Sequence, residues 1–353
     1  MNKAHGGNIY KAARKLGLAE NQILDFSANI SPLGLPDYIR KAMIESIEGT
    51  INYPDPECTA LREAIANNDE TRTDFIACGN GGADLLYRLA FGMKFQKVLL
   101  PVPSFVEYEE AFGTAGAKMK YYKMDTDFTI RQDILDEITD DTDLLILCNP
   151  NNPTGILTPR DLILQILEKA ERTGTYVLVD ECFLEICRCE KDYTVKPYLD
   201  VFKHLMILKS FTKMYAIPGV RLGYLLSGNP EVIASVNRAG QAWSVSHIAQ
   251  CAGVAALGHE VYKETVIYTV EKELKFMKEE LDKLPLHSYD GAANYIFFQA
   301  PGVTDLDERL LEKGIMIRNC SNYVNLGNDY WRVAVKAHEE NVRLIKALHE
   351  VLD

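Results

Sequence analysis

The chain has 353 residues, 47% hydrophobic and 25% charged, with a formal charge of -12 from 38 basic and 50 acidic side chains. That balance belongs to a folded protein of about two domains and excludes disordered, collagen-like and coiled-coil chains. The acidic excess excludes a nucleic-acid partner held by broad phosphate contacts, yet leaves room for a small anion in a local cationic pocket.

In chain order, the first 40 residues are Gly-rich and irregular after a helix-like Tyr10–Leu16, and read as an arm. They hold no apolar signal core, and no later apolar run approaches a membrane span. Short apolar runs then predict strands at Phe75–Cys78, Val98–Leu100, Leu144–Cys148, Val177–Val179, Leu205–Leu208 and Leu222–Leu226. Helical patterns fall near Ala83–Phe91, Pro159–Arg172 and Pro230–Arg238. Strands broken by helices predict an α/β domain with a mostly parallel sheet covered on both faces, over residues 41–240. From 241 to 353 the pattern changes. A charged helix near Glu260–Leu284 carries Ile267, Val270, Leu274 and Leu281 at helical spacing. Strand candidates Tyr295–Phe298, Ile315–Arg318 and Trp331–Val335 follow, with helices near Leu306–Lys313 and Glu339–Leu352, predicting a smaller α+β C-terminal domain. The eight cysteines lie mostly in apolar stretches, as reduced thiols of a cytoplasmic protein would. Cys187 and Cys189 lack the further ligands of a zinc site, so no metal is expected.

Four clusters carry chemistry. Ser210-Phe211-Thr212-Lys213 follows a strand, and Arg221 stands eight residues beyond Lys213. Ligands collect at such strand ends, where these groups could hold a phosphate and offer an amine; taken alone, Lys213 and Arg221 read as surface charges. Asn149-Pro150-Asn151-Asn152-Pro153-Thr154-Gly155 makes a stiff turn after another strand, suited to holding a side-chain amide against a ligand or simply to turning the chain. Asp180 ends a third strand and needs a partner, for which a protonated ring nitrogen or solvent would serve. Gly79-Asn80-Gly81-Gly82-Ala83-Asp84 joins a strand to a helix, where bare backbone amides can cradle a phosphate. Asp84 replaces the third glycine of a dinucleotide fingerprint, so a mononucleotide-sized phosphate fits better.

Together these clusters resemble the lysine signature, asparagine turn, acidic strand end and glycine cradle of class I/II aminotransferases, the fold-type I pyridoxal-phosphate enzymes. The resemblance spans almost the whole chain. It implies that Lys213 holds the cofactor and moves protons at the substrate Cα. Asp180 would pair with the ring nitrogen, Asn152 would bond the ring hydroxyl, and Phe105 would stack on the ring. Gly81, Gly82, Ala83, Ser210 and Arg221 would surround the phosphate. Tyr53 resembles the tyrosine that reaches a neighbouring subunit's cofactor, implying a homodimer. Arg332 would clamp the substrate carboxylate. Family aminotransferases often carry Tyr three residues after the acid; here that residue is Phe183.

His5-Gly6-Gly7-Asn8, Asp25–Gly34, Tyr215–Gly219 and Ala242–Val245 resemble the threonine-phosphate decarboxylase branch, with histidinol-phosphate aminotransferases as near relatives. That narrower resemblance implies a phosphorylated amino-acid substrate. His5, Gly6, Asn29 and Arg318 would bind it beside Arg332. It also implies loss of carbon dioxide from L-threonine O-3-phosphate to give (R)-1-aminopropan-2-yl phosphate for cobalamin synthesis. Read from the residues alone, Gly6-Gly7 could form an anion nest or a flexible terminus, and Arg318 could be a solvated charge.

Overall fold

The computed structural model describes residues 6–352. The main sheet contains β1 (Ile76–Gly79), β2 (Lys97–Val102), β3 (Lys118–Lys123), β4 (Leu144–Cys148), β5 (Tyr176–Asp180), β6 (Leu205–Ser210) and β7 (Gly223–Leu226). Their order is β1-β7-β6-β5-β4-β2-β3. Only β7 runs antiparallel to its neighbours. The mostly parallel α/β sheet expected from the sequence is therefore present.

The central strands show why. Side chains alternate between faces at a period of two. Leu145, Leu147, Val177, Val179, Leu205 and Ile207 enter one core, while Leu144, Ile146, Leu178, Met206 and Leu208 enter the other. Both faces are covered, so the strands read as unbroken apolar runs. β3, Lys-Met-Lys-Tyr-Tyr-Lys, was not expected from the sequence. It is an edge strand, and its lysines keep that edge from pairing with another chain.

A second, antiparallel sheet has the order β10-β11-β9-β8, from β8 (His287–Ser288), β9 (Tyr295–Gln299), β10 (Arg318–Asn319) and β11 (Tyr330–Ala334). The N-terminal segment joins it: Leu24–Asp25 pairs in parallel with Ile315–Met316, and Phe26 is fully buried beside Trp331 and Leu344. The single strand expected at Ile315–Arg318 is thus two. Ile315–Met316 pairs with the N-terminal segment, whereas Arg318–Asn319 pairs with β11. Changing partners across Ile317 leaves Arg318 buried instead of solvated.

The change of pattern near Gln241 does not coincide with a change of core. Helix His247–Ala256 still packs Ala249, Ala252 and Ala256 into the main core. The long helix Glu260–Leu281 bridges the two, giving Val266 and Val270 to the main core and Met277 and Leu281 to the small one. Among the described residues no helix is long and apolar enough to cross a membrane.

Candidate active site

Three adjacent parallel strands deliver their carboxyl ends to one place. Cys148 of β4 lies opposite Asp180 of β5, which lies opposite Leu208 of β6. Beyond these ends the chain supplies Asn149–Gly155, Asp180 itself and Ser210–Lys213. β1 supplies the glycine loop beside them. A cavity of about 140 Å³ opens there, lined by Gly82, Ala83, Phe105, Asn152, Asp180, Ser210, Lys213 and Arg221. The structure thus brings these eight expected residues together.

Lys213 follows Ser210 in a single turn of helix, Phe211–Met214, capped by the Ser210 hydroxyl. Its ammonium lies 5.5 Å from the centre of the Phe183 ring. Burial, helped by the charges of Arg332 and Arg221, pushes its amine down to about 8. An amine so placed is far more often free to attack a carbonyl than a solvated lysine is.

Gly81, an expected phosphate residue that does not itself line the cavity, caps helix Gly82–Met93 with φ 88°, a conformation that favours glycine. A Cβ there would meet Arg221 Nη2 at 2.5 Å. Arg221 is held by its bond to the Pro218 carbonyl (3.1 Å). Asp84, which departs from the dinucleotide pattern, braces the loop: it accepts from the Asn80 amide (2.8 Å) and pairs with Arg88 (2.7 Å). Helix-start amides, two hydroxyls (Ser210, Thr212) and a guanidinium therefore converge without intervening side chains, as a phosphate requires.

A second cavity of about 540 Å³ shares Phe105, Asn152, Phe183 and Lys213 with the first. Gly6, Asn29, Arg318 and Arg332 also line it. Gly6 has no room for a side chain, because a Cβ would run into the Ser27 carbonyl. The Gly7 amide donates to Ser27 Oγ (2.7 Å), fixing the N-terminal segment at the mouth. Arg332 donates to the Asn152 amide oxygen and to the Ser27 carbonyl (2.9 Å). Arg318 donates to the Asn319 carbonyl (2.6 Å) and Asn322 Oδ1 (2.7 Å). Asn29 Oδ1 and Arg332 Nε are buried with no protein partner.

Tyr53 reaches neither cavity of its own chain. It is 78% exposed and stacks on Trp243 at 4.4 Å. His5 lies outside the described residues. Two contributors were not foreseen. Tyr108, fully buried, donates to Asp180 Oδ2 at 2.6 Å, and Tyr323 donates to Asn152 Oδ1 at 3.2 Å. Tyr108 stands three residues after Phe105, one helical turn on, which is the signal that could have found it.

Residues 13–348 match the family model for class I and II aminotransferases. The chain belongs to that family. It is 36% identical to the threonine-phosphate decarboxylase of Salmonella typhimurium, covering all of this chain and 97% of that one. Among solved structures, the histidinol-phosphate aminotransferase of Clostridium acetobutylicum is 29% identical with a TM-score of 0.88, covering 93% of this chain and 99% of that one. The histidinol-phosphate aminotransferase of Sinorhizobium meliloti, solved with pyridoxal 5'-phosphate, is 22% identical with a TM-score of 0.89 over 99% and 95% of the two chains.

The cofactor of this aminotransferase-family chain is pyridoxal 5'-phosphate, and the first cavity fits it. An amine for the aldehyde, a carboxylate for the ring nitrogen, an aromatic wall and a side-chain-free phosphate cradle stand around one space.

Proposed function

We propose that this pyridoxal-phosphate enzyme removes carbon dioxide from a phosphorylated amino acid, L-threonine O-3-phosphate, and that it works as a homodimer. Bound cofactor supplies an electron sink that stabilises negative charge at the substrate Cα. The chain's residues decide which bond is broken. Lys213 holds the cofactor and moves a proton at Cα. Asp180 holds the ring nitrogen, Asn152 the ring hydroxyl, and Phe105 covers one ring face. Gly81, Gly82, Ala83, Ser210 and Arg221 take the cofactor phosphate, and Tyr53 serves the neighbouring subunit's site.

The observation that carries the substrate class is the second cavity. It places two buried guanidiniums, Arg318 and Arg332, beside the Lys213 amine, with Asn29 lining the same cavity. A substrate with a carboxylate at one end and a phosphate at the other matches two separate cations. Arg332 takes the carboxylate, while Arg318, the Asn29 side-chain N–H, Gly6 and His5 take the phosphate. The full-length likeness to the Salmonella threonine-phosphate decarboxylase supports the same reading. So does Phe183, a ring that cannot donate to the cofactor hydroxyl and that sits under the Lys213 ammonium.

The competing activity is transamination of histidinol phosphate, which the same cofactor site would support. Incubation with L-threonine O-3-phosphate should yield aminopropanol phosphate without any oxo-acid acceptor. Turnover confined to histidinol phosphate plus 2-oxoglutarate would reject decarboxylation.

A further inference from the structure

Asp180 is 6% exposed, and a buried carboxylate stays ionised only if donors reach it. The structure provides two. The Cys182 amide donates to Oδ1 at 2.9 Å, and the Tyr108 hydroxyl donates to Oδ2 at 2.6 Å. The amide is fixed by the backbone at the end of β5. The hydroxyl comes from helix Val106–Thr114, 72 residues away in sequence.

We propose that Tyr108 is a positioning residue for the cofactor ring, acting through Asp180: its hydroxyl aims the carboxylate at the ring nitrogen. This rests on Asp180 being the partner of that nitrogen. The hydroxyl has a single hydrogen, and burial followed by the Asp180 charge raises Tyr108 well above its ordinary range, so it remains a donor. The other titratable neighbours do not compete for the role. Burial raises the thiols of Cys148, which also meets the Tyr108 hydroxyl, and of Cys182, so both stay neutral, and Lys213 meets Asp180 through charge without hydrogen-bonding it. Phe105 meets Tyr108 edge-on at 5.5 Å. The residue proposed to cover the ring and the residue that aims its acid therefore brace one another within one helical turn.

The test is cofactor affinity as a function of pH, read from the absorbance of holoenzyme dialysed against graded pyridoxal phosphate. Tyr108→Phe should bind cofactor about tenfold more weakly, the loss of one hydrogen bond to a charged group. The acid limb of its affinity profile should move to higher pH, since a carboxylate short of a donor is protonated sooner. Fluorotyrosine at position 108, a stronger donor of nearly the same shape, should move the acid limb the other way, and it keeps the test open should the Phe variant fail to fold. Unchanged affinity and pH profile in either variant overturns the proposal. Asp180→Asn is the control: cofactor binding unaltered by that change would instead overturn the role of Asp180 itself.

Discussion

The two cavities that meet at Lys213 are built by different means. The cofactor cavity is made from strand ends and their first turns, so the hydrogen-bonded sheet sets its walls. Both carboxylate oxygens of Asp180 have donors, and Asp84 braces the glycine cradle while pairing with Arg88, whose Nε behind the cradle is buried without a hydrogen-bond partner. The larger cavity adds the N-terminal segment and the second sheet to residues it shares with the first. It holds Asn29 Oδ1 and Arg332 Nε buried without partners. A site whose polar groups are already satisfied is pre-organised for one ligand. A site with orphaned groups awaits one, because an unsatisfied buried polar atom costs about 1–3 kcal/mol until something meets it. On the proposed function, the first cavity would govern cofactor retention and the second substrate choice.

That division can be broken by experiment. The largest effect is expected at the shared residue. Lys213→Ala should lower turnover roughly 10⁴-fold, removing both the anchoring amine and the proton carrier. Product assays with bound-cofactor spectra would show it, and activity within tenfold of the parent would remove Lys213 from its role. Next comes Arg332→Ala, which deletes a fork held by Asn152 and Ser27. It should raise the KM for phosphorylated substrate roughly a hundredfold while moving cofactor affinity far less. An equal loss of both would mean that the two cavities are one functional unit. The smallest effect is a pH midpoint. Because the Lys213 amine is pushed down to about 8, its acylation by an amine-reactive reagent in cofactor-free protein should rise with pH and level off just above that value. A solvated lysine would keep gaining reactivity up to its ordinary value near 10.4. A midpoint there would contradict the buried geometry.

The same division explains what could be read from the sequence. Asp180, Asn152, Lys213 and the glycine cradle each follow directly on an apolar strand, so a local pattern locates them. Tyr108 ends no strand; only its place three residues after Phe105 hints at it, and its acceptor is 72 residues distant. Arg332 and the Ser27 carbonyl are 305 residues apart, and only the folded arm brings them together. The division of Ile315–Arg318 between two sheets was hidden for the same reason: a four-residue apolar run does not say which strand each half will meet. Edge strand β3 was missed because its lysines mask the apolar signal that buried strands display.

The most direct test of the proposed chemistry follows one carbon. L-threonine O-3-phosphate labelled at its carboxyl carbon is incubated with the holoenzyme, and the label is located by NMR. Decarboxylation predicts that it appears as carbon dioxide and bicarbonate, in step with unlabelled aminopropanol phosphate. Label retained in a phosphorylated 2-oxo acid, formed only when an amino acceptor is supplied, would contradict it.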